Sequence, residues 1–114
     1  MILVYHNKNF IDYNYKDDAP KSEELVLVAE VPTTEKEVAY RLTNNIEESW
    51  VDAAREHGIT VHRNKVDAFH DPAEGHRSTS VGDVMFDGEK WWMVKGIGYK
   101  ELEGFSLEDT RTGD

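Results

Sequence analysis

Apolar positions along the chain recur first with a period of two, then near 3.6, then two again. That alternation predicts strands, helices and strands in turn. Residues 1–6, rich in Ile, Val and Tyr, read as a first strand. Residues 12–24 are polar, contain Asp17-Asp18 and Pro20, and read as a loop. Residues 25–31, Leu-Val-Leu-Val-Ala-Glu-Val, carry apolar side chains on both faces. A strand of that kind belongs inside a sheet, and Pro32 ends it.

The period then changes. Thr34 and Glu37 are spaced as a capping box, and Val38, Leu42 and Ile46 follow at spacing four with Ala39 beside them. The poor helix formers Thr43-Asn44-Asn45 interrupt this stripe. Asn45 with Glu48 can start a second helix, on which Ile46, Trp50, Ala53, Ala54 and His57 share a face and which Gly58 stops. Ile59 and Val61 suggest a short strand, and the polar stretch 63–80 a loop.

Residues 81–86 and 89–94 flank Asp87-Gly88, a strong hairpin signal between two β-prone runs. A two-residue loop there pairs Phe86 with Glu89 and Val84 with Trp91. It puts Val84, Phe86, Trp91 and Met93 on one face, and Asp83, Met85 and Trp92 on the other. Gly96-Ile97-Gly98 then allows a bend before Tyr99. The expected fold is α+β: a small antiparallel sheet with a C-terminal β-hairpin and one or two helices packed on one face.

Length and charge narrow this further. The 114 residues make one domain, 1–114, large enough for a single core. Three Trp among 11% aromatic residues argue against a disordered chain. No cysteine is present, which excludes disulfides, thiolate metal sites and a Cys nucleophile. No apolar run is long enough to span a membrane, and the N-terminus lacks a basic region before a signal-like run. The expected location is the cytoplasm. A net charge of −10, spread without a basic patch, disfavours direct binding to nucleic acid and fits a solubilising surface.

Candidate chemistry is sparse. Arg77-Ser78-Thr79-Ser80 sets one guanidinium and three hydroxyls before a strand, a cluster able to hold a phosphate or carboxylate. The same hydroxyls can instead satisfy backbone groups, with Arg77 bracing Asp83 or Asp87. The candidate binding residues are therefore Arg77, Ser78, Thr79, Ser80 and Asp83, with Trp92 as an aromatic anchor wherever it is exposed. Five histidines (His6, His57, His62, His70 and His76) lack any zinc-ligand spacing, so no metal and no cofactor is implied. No triad or glycosidase motif announces a catalytic residue.

The octapeptide 77–84, followed by Gly88, residues 91–94 and Gly98-Tyr99, resembles small uncharacterised proteins of actinobacterial phages and plasmids. Those carry an RS-x-S-VGDV motif, a hydrophobic strand and a Gly-aromatic pair; the YodL-like domain of mobile-element proteins is similar. Residues 42–50 also resemble a segment upstream of that motif, whereas residues 51–76 depart from it, being longer and richer in His and charge. The resemblance implies a mobile-element context and carries no activity with it. The expectation is an accessory protein that binds another protein, from host or phage, without catalysis. Two alternatives remain open: a nucleic-acid-associated module or acidic nucleic-acid mimic, and a metal-dependent enzyme using the His70–His76 loop.

Overall fold

A computed structural model describes residues 1–13, 19–44, 50–62 and 78–105, with Asp52 lacking its side chain. The strands are β1 (Ile2–Asn7), β2 (Leu25–Val31), β3 (Thr60–Val61), β4 (Val84–Phe86), β5 (Trp91–Val94) and β6 (Tyr99–Glu101). They form one antiparallel sheet in the order β3-β2-β1-β4-β5-β6. Helices α1 (Lys36–Leu42) and α2 (Trp50–Ala53) lie between β2 and β3 in the chain. The α+β architecture read from the sequence is the one observed. No helix among the described residues is long and apolar enough to cross a membrane.

One irregularity explains the doubly apolar β2. Val4 pairs with Ala29 and Tyr5 with Leu27, so Val28 is an extra residue in β2. Such a bulge resets the alternation of faces. Val26 and Val28 before it, and Ala29 and Val31 after it, all join the core beneath the helices. Leu25 and Leu27 turn to the other face, towards Tyr5 and Val84. Strand β1 alternates without interruption: Ile2 and Val4 lie under the helices, Leu3 and Tyr5 on the opposite face.

Helix α1 begins one residue later than the capping box predicts. Glu35 is its N-cap, makes no side-chain cap bond, and accepts the first helical bond from Ala39 N–H. Thr33 Oγ1 instead accepts the Glu35 N–H at 3.1 Å. The buried face is also rotated: Ala39 and Thr43 are fully buried, while Val38 and Leu42 are half-buried. In α2 the buried residues are Trp50, Val51 and Ala54, and His57 is exposed. Helix α2 ends at Ala53, ahead of the expected stop, and successive turns carry the chain on to Gly58. With φ at +70°, Gly58 donates to Arg55 O and Ile59 to Ala54 O, both bonds of a Schellman cap. Residues 45–49, with Ile46 and the predicted helix start, lie outside the described residues.

The expected loop 12–24 has turns at both of its described ends, and residues 14–18 lie outside the described residues. Two 3₁₀ turns, Phe10–Tyr13 and Ser22–Glu24, bracket it. Glu24 ties them together, accepting from Asn9 Nδ2, Tyr13 OH and Lys21 N at 2.7–2.9 Å. Burial pushes its carboxyl pKa up, but these donors outweigh burial and hold it below the ordinary value.

The hairpin register differs from the expected one by two residues. Val84 pairs with Met93 and Phe86 with Trp91, and the turn centres on Gly88-Glu89 with Asp87 N donating to Lys90 O. Asp87 is used as a cap: its Oδ1 accepts the N–H groups of Glu89 and Lys90. Gly88, at φ +101°, thus holds the first central position, where a hairpin turn of the II′ kind wants glycine. A shift of two leaves every side chain on its predicted face, because faces alternate with period two.

Trp50 is 1% exposed and fills the core between α2 and the sheet. Trp50→Ala is expected to cost about 3–5 kcal/mol, a large share of the roughly 5–15 kcal/mol that a domain holds. The midpoint of urea denaturation measures it, and an unmoved midpoint would place Trp50 outside the core.

Candidate functional site

The motif residues resolve into two groups. Thr79 and Asp83 are buried, whereas Ser78 and Ser80 are half-buried at the loop before β4. Thr43 Oγ1 donates to Ala39 O at 2.8 Å, Thr79 Oγ1 lies 2.7 Å from Thr43 Oγ1, and His6 Nε2 lies 3.1 Å from Thr79 Oγ1. Taken in order, Thr79 donates to Thr43 and His6 donates to Thr79, which puts a proton on His6 Nε2. Thr79 N–H also donates to Thr43 O, so the C-terminal end of α1 is fastened to this loop.

Asp83 fastens the same loop to β1. Its two carboxylate oxygens accept the N–H groups of Asn7 and Ser80, each at 2.7 Å. Asn7 Nδ2 donates to Gly82 O at 3.1 Å, and His6 Nε2 lies 3.9 Å from Asp83 Oδ2. Gly82 is needed at its position. Its φ is +96°, and a Cβ would come within 2.9 Å of Tyr13 Cβ and 3.0 Å of Phe10 O. The Thr-x-x-Gly-Asp part of the motif thus does structural work inside the fold. A ligand could touch Thr79 or Asp83 only by displacing these bonds. Arg77, with its proposed bracing of Asp83 or Asp87, lies outside the described residues.

The two adjacent tryptophans point to opposite faces, and both are half-buried. Trp92 lies on the helix side, with Lys36 Nζ 4.0 Å above its ring and its Nε1–H donating to Asp87 Oδ2 at 3.0 Å. This anchor is already engaged from within the chain. Burial raises the Asp87 carboxyl pKa, but the Lys90 and Glu89 amides, the Trp92 indole and the Lys36 charge together bring it below its ordinary value.

Trp91 faces the other way and organises an aromatic cluster. Its ring centroid is 4.4 Å from Phe86, 5.3 Å from Phe105 and 5.4 Å from Tyr5. Tyr5, Val84 and Met93 are fully buried at the centre of this second face. Around them Leu3, Leu27, Phe86, Trp91 and Phe105 are half-buried. Only Trp92 of this tryptophan pair was singled out from sequence. The period-two pattern Leu3/Tyr5, Leu25/Leu27 and Val84/Phe86 was the signal for the larger surface, but pattern alone does not tell a covered face from an open one.

The histidines do not converge among the described residues, where no group of three or more potential metal ligands occurs. His6 is in the buried seam, His57 is exposed, and His62 Nε2 lies 2.7 Å from Glu30 Oε2. His70 and His76 lie outside the described residues. Comparison with known proteins gave no match to a family model, to a curated protein or to a solved structure.

Two outcomes follow from this geometry. Asp83→Ala leaves the buried Asn7 N–H and the partly buried Ser80 N–H without their charged acceptor, and hydrogen bonds to charged groups contribute roughly 1.5–3 kcal/mol each. A loss of about 3 kcal/mol or more in urea denaturation is expected, and a loss under about 1 kcal/mol would show the seam to be dispensable. Asp87→Asn tests the hairpin cap through pH. A carboxyl whose pKa is lowered by folding stabilises the fold above its unfolded value, and that contribution disappears as pH falls through the folded value. The stability gap between wild type and Asp87→Asn should therefore be present at about pH 6 and close below about pH 4. A gap that does not change with pH would mean the charge of Asp87 is not what the turn uses.

Proposed function

We propose that the chain is a small, non-catalytic module that binds another protein through the second face of its sheet. The observation that carries this reading is the aromatic cluster of Trp91, Phe86 and Phe105, half-buried beside Leu3 and Leu27 on the face of the sheet away from the helices. Aromatic side chains that keep part of their surface open dominate the energetics of protein contacts. The resemblance of residues 77–84 to phage and plasmid proteins supports a role as a mobile-element accessory protein, with a cytoplasmic host factor as its partner. The net charge of −10 favours partners with a basic surface and adds salt dependence to the association.

The test is affinity capture from actinobacterial lysate with mass spectrometry, run in parallel for wild type, Phe86→Ser and Phe105→Ser. Both side chains are half-buried against the second core, so each variant is compared with wild type at a temperature below its own melting transition. A protein recovered by wild type should fall by about tenfold or more in both variants, as loss of an interface hot spot requires. Equal recovery by all three would exclude this face. Recovery of DNA, or of DNA-binding proteins only, with loss at high salt would favour the acidic mimic instead.

A further inference from the structure

The chain contains a single Asp-Gly step, Asp87-Gly88, and no Asn-Gly step. It lies at the turn between β4 and β5. At such a step the glycine nitrogen can attack the aspartyl Cγ, because no side chain on the glycine blocks the approach. A bond from that nitrogen to Cγ forms. One carboxyl oxygen leaves as water, carrying the carboxyl proton and the amide proton, and a cyclic imide results. Water then opens the imide. Opening at the main-chain carbonyl leaves the chain running through Cβ and Cγ, as isoaspartate. The net change in mass is nil, and nothing is oxidised or reduced.

Burial does not protect this step: Gly88 is exposed, and a Cβ built there would meet nothing within 4 Å. The bonds of Asp87 do. Its Oδ1 accepts the N–H groups of Glu89 and Lys90 at 2.9 and 2.7 Å, and its Oδ2 accepts the Trp92 indole N–H at 3.0 Å. Asp87 N–H also donates to Lys90 O at 3.1 Å, closing the turn. Cyclisation needs the carboxyl protonated and Cγ turned onto the Gly88 nitrogen. The three donors oppose both, since they favour the ionised form and hold it towards residues 89–92. Burial alone would raise the carboxyl pKa, yet the donors and the Lys36 charge bring it below its ordinary value.

We propose that Asp87 is a modification site controlled by the hairpin turn: the aspartate persists while the turn is closed, and opening of the turn exposes it to isomerisation. The product cannot rebuild the turn. Isoaspartate adds a methylene to the main chain and moves the free carboxylate onto Cα. Glu89, Lys90 and Trp92 then lose their common acceptor. The Phe86–Trp91 pair, whose register the turn sets, loses its frame. Trp92 lies under Lys36 of α1, so the change reaches the helix side of the sheet as well. The inference is independent of the protein-binding reading.

The full-length protein is kept folded at about pH 6, where a small share of an ordinary carboxyl is protonated, and in parallel unfolded in guanidinium chloride. Peptide mapping reads isoaspartate at residue 87 as a fragment of unchanged mass that elutes separately. The unfolded chain should accumulate it at least about tenfold faster than the folded one, as loss of charge-assisted bonds to the carboxylate implies. Trp92→Phe removes one of the three donors and keeps an aromatic ring beneath Lys36. Ile2→Val, in the core beneath the helices, lowers stability without touching the turn. With the denaturant adjusted so that both variants have the same fraction folded, Trp92→Phe should isomerise several-fold faster than Ile2→Val. Equal rates for the two variants would show that global unfolding alone sets the reaction and would overturn the proposal. Equal rates in folded and unfolded wild type, or an unfolded chain that forms no isoaspartate at residue 87, would overturn it too.

Discussion

The sheet is continuous because β1, at the start of the chain, pairs with β4, some eighty positions later, and the Asp83 carboxylate secures that junction. Closing so long a loop is entropically unfavourable, and only three residue pairs of β1 and β4 meet to offset it. The buried carboxylate adds two short bonds to backbone N–H groups, one on β1 and one on its own loop. Burying that charge would be costly alone. The backbone donor at each of its oxygens offsets that cost. The same loop reaches α1 through Thr79 and Thr43, so one buried seam holds the N-terminal strands, the first helix and the C-terminal hairpins together.

This seam assigns different work to neighbouring motif residues. Thr79, Gly82 and Asp83 face inward and set the geometry of β4, while Ser78 and Ser80 stay half-exposed. What β4 then positions is the surface on either side of it. On one face, Trp92 is capped by Lys36 and hydrogen-bonded to the hairpin turn. On the other, Trp91 gathers Phe86 and Phe105 into a half-open cluster. The surface proposed for binding accordingly lies on the strands that the motif supports. A rigid scaffold that presents a surface is a common division of labour in small binding domains.

Much of the fold was legible in the sequence for local reasons. Strands β1 and β2, the second hairpin strand, the turn at Gly58 and the faces of Val84, Phe86, Trp91 and Met93 follow from periodicity and from glycine. These signals act within a few residues and need no knowledge of distant partners. The hairpin turn shows the limit of such signals. Asp87-Gly88 marks its place, yet the centre falls on Gly88-Glu89, because the Asp87 side chain caps the next two amides and binds the Trp92 indole. The faces survived that shift only because it was an even number of residues.

By itself, the sequence determined the fold class and the residues that could build a seam or a surface. Only the tertiary structure decided which of these they became. The bulge at Val28 depends on how β1 seats against β2, and the burial of Thr79 and Asp83 depends on pairs separated by tens of residues. How far the Trp91 face is covered likewise depends on what lies across it, which no spacing along the chain encodes. Periodicity reports which side of an element is apolar. Whether that side is covered is set by long-range packing, where loop-closure entropy, burial and paired charge are settled together.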